Sequence, residues 1–178
     1  MGAIGLEKPI KLFIGFIFSE DVILKDLFSK LESNFGPIES YSDHYDFSHT
    51  PYYTKEMGPA LKKGFVAFSQ LASPAQLSLI KLHTNDIEDF YKHEDKRKVN
   101  LDPGIISLHS VVLLSTKDFS HRIPLGEGIY AELTLMFSKN CFKSVPWTYP
   151  DFSDESYHDY FLKVRKAFQI QLKETHDT

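Results

Sequence analysis

The chain has 178 residues, of which 42% are hydrophobic and 25% are charged, as is typical of a globular protein of one domain. Its single cysteine, Cys141, excludes an intrachain disulfide, and we expect it to be a small buried apolar residue. The formal net charge of −4 provides no basic field to displace counterions from phosphates, so nucleic acid is not an expected partner.

The longest apolar stretch near the start, residues 12–18, is too short to cross a bilayer and too short for the core of a signal peptide. A lone cysteine suits a reducing compartment. The sequence therefore predicts a soluble cytoplasmic protein without a membrane partner, and it gives no indication of the oligomeric state.

The first half of the chain alternates between strand and helix patterns. An apolar run predicts a buried strand at residues 11–18, and the spacing that follows predicts a helix ending at Phe35, with Ser19 as its N-cap and Gly36-Pro37 as its stop signal. The next elements are predicted to be a strand at 38–41, a long loop with little regular structure at 43–60, a strand at 61–69, and a helix running from a capping box at Ser73-Pro74-Ala75-Gln76 to about Lys92.

Strand patterns dominate the second half. Asp102-Pro103-Gly104 predicts a turn inside the apolar stretch of residues 99–107. Residues 129–137 alternate between apolar and polar side chains, which predicts a half-buried strand between two turns. The other expected elements are strands at 108–115 and 142–148 and a last helix capped by Asp151 or Ser153.

The order of these elements predicts an α+β fold. It starts with the ferredoxin-like order strand-helix-strand-strand-helix-strand, and an antiparallel strand meander and a C-terminal helix extend it. We expect a single domain over residues 1–178, with the helices on one face of the sheet.

Signature motifs of several protein classes are missing from the sequence. It contains no P-loop, no glycine-rich dinucleotide fingerprint opening a helix, no nucleophile elbow, no H-E-x-x-H and no pair of C-x-x-C motifs. Ser115-Thr116-Lys117-Asp118 is similar to the guanine-reading signature of GTPases, but that signature has one residue between its Lys and its Asp.

One short segment combines residue types for anion binding and proton transfer. Lys117 and Arg122 are suited to hold a phosphate or a carboxylate. His121 is suited to general acid/base chemistry, with Asp118 or Glu132 orienting it. The alternative is a charged surface loop whose ionic groups pair with one another.

Three more polar positions are candidates. Asn100 and Asp102 either form a turn through their own backbone hydrogen bonds or bind the polar part of a ligand. Glu132 points away from the apolar face of its strand. It is either solvated or, if the last helix covers that face, paired with Lys117 or Arg122.

Trp147, the only tryptophan, is expected either to pack over the core or to stack against a ligand. Asp43, His44, Asp46 and His49 are residue types that bind divalent metals, but their spacing matches no recognised site. The sequence therefore predicts no metal site and specifies no cofactor.

Eight short segments occur in an order found in one known family. They are Pro9-Ile10-Lys11-Leu12-Phe13, Glu56-Met57-Gly58-Pro59, Lys81-Leu82-His83-Thr84-Asn85, Val99-Asn100-Leu101-Asp102-Pro103-Gly104, Ser115-Thr116-Lys117-Asp118, His121-Arg122-Ile123, Gly128-Ile129-Tyr130-Ala131-Glu132 and Pro146-Trp147-Thr148-Tyr149-Pro150-Asp151. The ordered set resembles the prokaryotic domain-of-unknown-function 4416 family over nearly the whole chain. This resemblance implies a small stand-alone prokaryotic protein and supplies no reaction. Some relatives carry the label "GTP-binding protein", which the motifs above do not support.

Two functions from different classes follow from these observations. In the favoured one, the protein binds a small anionic or phosphorylated metabolite or a nucleotide and performs acid/base chemistry on it. Lys117, His121, Arg122 and Glu132 should then converge in one pocket.

The alternative is a non-catalytic module that binds a protein partner or assembles with itself. Aromatic residues and methionine are enriched in the cores of protein interfaces. Tyr52, Tyr53, Met57 and Trp147 should then form an exposed apolar patch.

Overall fold

The computed structural model describes residues 5, 7–94 and 96–174, which form an α+β fold. The strands are β1 (Ile10–Phe18), β2 (Ile38–Tyr41), β3 (Tyr45–Asp46), β4 (Lys62–Ala72), β5 (Val99–Ile106), β6 (Ser110–Ser115), β7 (Ile123–Gly126), β8 (Ile129–Ser138) and β9 (Cys141–Ser144). The helices are α1 (Leu24–Phe35), α2 (Thr54–Met57), α3 (Leu77–Phe90) and α4 (Glu155–Glu174), and 3₁₀ turns cover Pro51–Tyr53, Pro74–Gln76 and Pro150–Ser153. None of the helices in the described part of the chain is both long enough and apolar enough to cross a bilayer.

All nine strands belong to one antiparallel sheet. Its main strand order is β2-β4-β1-β5-β6-β8-β7, with β3 paired to β4 and β9 paired to β8. Every residue of β1 is buried, which explains why its sequence is a continuous apolar run rather than an alternating one.

Helices cover both faces of the sheet, so the expectation of helices on one face was wrong. Leu12, Ile14 and Phe16 of β1 pack in one core with α1 and α3. Phe13, on the opposite face, packs in a second core with Phe65 of β4 and with α4. The apolar stripe of α4 is stable only when it is buried against another element. Because α1 and α3 cover one face of the sheet, α4 packs on the other.

The Asp102-Pro103-Gly104 turn was also predicted wrongly, because these residues lie inside β5. β5 pairs with β1 along its whole length but with β6 only from Gly104 to Ile106. Pro103, which has no N–H to donate, stands where the pairing with β6 ends. A Cβ on Gly104 would lie 2.5 Å from the ring of Phe13, so only glycine fits there. Before Gly104 the strands β5 and β6 diverge and leave a gap in the sheet.

Several local predictions are settled by hydrogen bonds at the helix starts. The capping box is confirmed, with Ser73 accepting from the Ala75 N–H and Gln76 reaching back to the Ser73 N–H, although a 3₁₀ turn precedes α3. Ser19 is not the cap of α1, because that helix begins at Leu24 and the Ser19 hydroxyl bonds to Asp21.

Three further predictions needed correction. Residues 43–60 are not an irregular loop, since they contain β3, a 3₁₀ turn and α2. Cys141 is exposed rather than buried, because it lies at the start of a short outer strand. At the start of α4 the carboxylate of Asp154, rather than Asp151 or Ser153, accepts the Ser156 N–H at 2.8 Å.

Candidate functional site

A cleft of about 500 Å³ opens where β5 and β6 diverge. On the sheet it is lined by side chains on the same face as the core beneath α4, among them Ile17, Asp102 and Glu132. Its walls are the segments 47–53 and 149–152. A cleft of this size accommodates a small molecule.

Two side chains of α3 form the floor of the gap. The Leu101 N–H donates to Glu88 Oε1 at 2.7 Å, and Lys81 Nζ donates to the Leu101 carbonyl at 2.9 Å. They satisfy the backbone groups that β6 would otherwise have paired. Burial raises the pKa of the Glu88 carboxyl, and the nearby Lys81 ammonium opposes this shift.

Arg97 joins α2 to α3 and β5. Its guanidinium makes two bonds of 2.8 Å to the Glu56 carboxylate and donates to Glu88 Oε2 at 3.2 Å and to Asn100 Oδ1 at 3.0 Å. The Arg97 guanidinium lowers the pKa of Glu56. Sequence reasoning did not find this role of Arg97, because Glu56 lies 41 residues away along the chain.

Asn100 and Asp102 both line the cleft. This position is required if they bind the polar part of a ligand, whereas the alternative, that they form a turn, does not require it. Because they are two residues apart on β5, their side chains share a face. Asn100 Nδ2 donates to Asp102 Oδ2 at 3.0 Å. Asn100 is thus engaged at both ends of its amide, whereas Asp102 retains one carboxylate oxygen for another partner.

Arg122 is buried and lies 2.6 Å from Glu132 Oε2, as expected if the face of Glu132 is covered. It also donates to Ser115 Oγ at 2.9 Å, to the Lys117 carbonyl at 2.9 Å and to the Tyr149 hydroxyl at 2.6 Å. The N–H groups of this guanidinium therefore all donate to acceptors of the protein. Arg122 positions Glu132. It has no free donor with which to bind an anionic ligand, which is the role that the sequence predicted for it.

Glu132 is the least satisfied polar group of the cleft. Its side chain is 1% exposed, and Oε2 lies near both Arg122 and His121. Within the described residues, Oε1 has no hydrogen-bond partner. An unsatisfied buried acceptor costs about 1–3 kcal/mol, and more when it is charged, so this position marks Glu132 as a candidate functional group.

His121 stands behind Glu132 and outside the cleft lining. Its Nε2 lies 3.1 Å from Glu132 Oε2, and 23% of its side chain is exposed. The imidazole stacks on Trp147 at 5.2 Å between ring centroids and on Phe119 at 6.1 Å. Trp147, whose Nε1 donates to the Leu133 carbonyl at 2.7 Å, therefore holds His121 in place. It neither covers the core nor lines the cleft.

Two charged residues of the same segment lie at the surface. Lys117 is exposed at the edge of the cleft, with Nζ 4.8 Å from the ring centroid of Tyr52, and it pairs with no carboxylate of the described residues. Asp118 is exposed and outside the lining, so it does not orient His121. Glu132 does so instead.

The acidic and histidine residues of the 43–49 segment do not converge. Asp46 pairs with Lys62, and His44 packs edge-on against Phe16 and Phe18. His49 alone of the four lines the cleft. Over residues 5, 7–94 and 96–174, no group of three or more His, Cys, Asp or Glu side chains is placed to hold a metal ion.

The lining of the cleft contains a buried ion pair that the sequence did not indicate. Lys63 pairs with Asp151, and its Nζ lies 4.4 Å from the centroid of the Phe152 ring. Asp151 had been assigned only as a possible helix cap. The alternation of β4 places Lys63 on the same face as Phe65, which was the one available signal.

A family model described as domain of unknown function DUF4416 matches residues 8–168. The chain belongs to this family. No curated protein and no solved structure matches this DUF4416 protein. The family description supplies no activity, so the function has to be argued from the cleft itself.

The apolar patch expected of an interaction module is not formed by the residues predicted for it. Met57 is 2% exposed and packs with Ile17 and Leu61 beneath the wall of the cleft. Tyr52 and Trp147 remain exposed, but one stands at the cleft edge beside Lys117 and the other supports His121.

Proposed function

We propose that this DUF4416 protein binds a small metabolite with an anionic group, such as a phosphorylated compound or a nucleotide, and exchanges a proton with it. The observation that carries this proposal is the buried Glu132 carboxylate, which lines the cleft and has one oxygen without a hydrogen-bond partner among the described residues. Incompletely satisfied ionisable groups in a cleft are typical of functional sites.

Lys117 is the residue proposed to meet the anionic group. It lies at the edge of the cleft and is not neutralised by a carboxylate of the described residues. Tyr52, whose ring faces the Lys117 ammonium, provides a flat surface next to it. A ring or an extended polar ligand bound there reaches Glu132 from the mouth of the cleft.

Glu132 and His121 are the proposed proton-transfer pair. The Oε1 atom of Glu132 accepts a proton or a hydrogen bond from the ligand. The Oε2 atom is 3.1 Å from the partly exposed imidazole of His121, which exchanges protons with solvent. Trp147 fixes the orientation of the imidazole by stacking on it.

The test is a thermal-shift screen of the purified protein against nucleotides, phosphorylated metabolites and divalent metals, repeated with Lys117→Ala. A ligand at 100 times its Kd adds about 2.7 kcal/mol of stability, which raises Tm by several degrees. We expect the shift to disappear in Lys117→Ala and to persist in Lys143→Ala, an exposed lysine outside the cleft. A screen without hits, or hits that both variants retain, would overturn the proposal.

We also infer a ferredoxin-like unit within residues 10–106. Its support is the antiparallel strand order β2-β4-β1-β5 together with the packing of α1 and α3 in one core. A prokaryotic, cytoplasmic protein remains our proposal for its setting, and an exposed unpaired thiol at Cys141 suits a reducing compartment.

A further inference from the structure

The balance of charge in the cleft restricts the ligand more closely than the proposed function does. Five cationic side chains line the cleft, namely Lys63, Lys81, Arg97, Lys117 and Arg122. Four carboxylates line it as well, and a fifth, Glu56, neutralises Arg97 from outside the lining. A site with matched charges has no net attraction for a polyanion.

Most of these charges are already paired within the protein. Lys63 pairs with Asp151, and Lys81 and Arg97 both approach Glu88. Among the described cations of the lining, this leaves the Lys117 ammonium without a carboxylate partner. Among the carboxylates, Asp102 contacts no cation of the described residues, and Glu132 has one oxygen without any partner.

The two incompletely satisfied carboxylates face the same cleft from opposite sides of β6. Leu113 of β6 pairs with Gly104 on one side and with Glu132 on the other, and Asp102 lies two residues before Gly104 on the same face. Two strand spacings separate Gly104 from Glu132 by about 10 Å, and Asp102 lies about 7 Å farther along β5, so the backbones of Asp102 and Glu132 are more than about 10 Å apart. Burial raises the pKa of the Tyr149 hydroxyl, the charges of Glu132 and Asp102 raise it further, and the charge of Arg122 opposes this shift.

A carboxylate oxygen can only accept a hydrogen bond, so the group that meets it must be a donor. A phosphate or carboxylate of the ligand is repelled at Glu132 and Asp102 and is directed to Lys117. The donor that gains most from a carboxylate is a cationic N–H group, because charge-assisted hydrogen bonds are the strongest.

Resting on the proposed function, we infer that the ligand is amphoteric. It carries a protonated amine or amidine that binds between Glu132 and Asp102, and an anionic group that binds Lys117. Simple phosphates and polyphosphates without a nitrogen donor are then poor ligands.

The closing experiment compares matched compounds by thermal shift and calorimetric titration. One set is glucosamine 6-phosphate, glucose 6-phosphate and glucosamine, and a second is phosphoethanolamine, ethyl phosphate and ethanolamine. The wider metabolite screen is sorted into the same three classes. We expect hits among the amphoteric compounds, with affinity lowered about tenfold or more in Asp102→Asn and in Lys117→Ala. The matched control is Asp159→Asn, an exposed position on α4 outside the cleft.

The outcomes separate this inference from the proposed function. One outcome is that only anions without a nitrogen donor bind, and that their binding is lost in Lys117→Ala but retained in Asp102→Asn. This outcome would support the proposed function and overturn the inference of an amphoteric ligand. Hits confined to cations, indifferent to Lys117→Ala, would overturn both. A screen without hits in any class would also overturn both.

Discussion

Glu132 combines two roles that are usually divided between residues. One carboxylate oxygen is held by Arg122 and His121 inside the protein, and the other has no hydrogen-bond partner among the described residues. The first oxygen fixes the position of the second. This arrangement resembles the way a buried counterion prepares a catalytic group, and it predicts that Glu132 contributes to both stability and binding.

The Glu132→Gln variant tests the structural half of this role. It removes the charge opposite the buried Arg122 guanidinium, and breaking a buried ion pair from one side lowers the free energy of unfolding by about 3 kcal/mol or more. Urea unfolding followed by circular dichroism measures the loss. Glu127→Gln, at an exposed turn, should change stability by less than about 0.5 kcal/mol. A loss below about 1 kcal/mol in Glu132→Gln would mean that Arg122 is satisfied without this carboxylate.

Individual site residues were predictable only where a local pattern revealed their direction. The alternation of β8 placed Glu132 on the face opposite Ile129, which packs in the core with α1 and α3, and Arg122 was among the partners expected for it. The stacking of His121 on Trp147 and the contacts of Arg97 with Glu56 join residues 26 and 41 positions apart along the chain. Sequence periodicity contains no information about such contacts.

At the scale of elements, local signals were reliable where tertiary pairing agreed with them. The capping box before α3 and the apolar run of β1 are local features, and both gave elements close to those observed. The Asp-Pro-Gly segment failed because its turn preference is weaker than eight residues of pairing between β5 and β1. Pro103 and Gly104 are better explained by the divergence of β5 from β6 than by a turn.

The contact between α2 and Arg97, which precedes β5, should be sensitive to acid. Arg97 lowers the pKa of Glu56, so this carboxylate stabilises the fold above its unfolded pKa and loses that contribution as the pH falls through the lower, folded value. Because Glu56 is about a third exposed, solvent screening limits its contribution to about 1 kcal/mol.

We therefore expect Glu56→Gln to be less stable than the wild type at pH 7, and the difference between the two proteins to be smaller at about pH 3. Thermal unfolding at both pH values measures the difference, and limited proteolysis of residues 47–57 reports whether the cleft wall loosens. Glu127→Gln serves again as the control. A difference that persists unchanged in acid would show that the charge of Glu56 is not what stabilises this contact.

For the whole molecule, β1 is the element that joins the two cores. Its even-numbered residues pack with α1 and α3, whereas Phe13 packs with α4, so neither core survives the loss of this strand. We expect one cooperative unfolding transition. The fluorescence of Trp147, the only tryptophan, reports on the cleft side, and far-ultraviolet circular dichroism reports on all helices and strands. Transitions at different urea concentrations for these two probes would contradict a shared core strand.

The gap between β5 and β6 has a consequence for communication across the sheet. A β-sheet usually separates what happens on its two faces, but here Lys81 and Glu88 reach through the opening from a helix that packs on the far side. A ligand that moves these side chains also moves α3, whose outer surface exposes Leu79 and Phe90 to solvent. A molecule that binds the outer surface of α3 and displaces this helix changes the affinity of the cleft for its ligand. By thermodynamic reciprocity, the ligand changes the affinity of α3 for that molecule by the same factor.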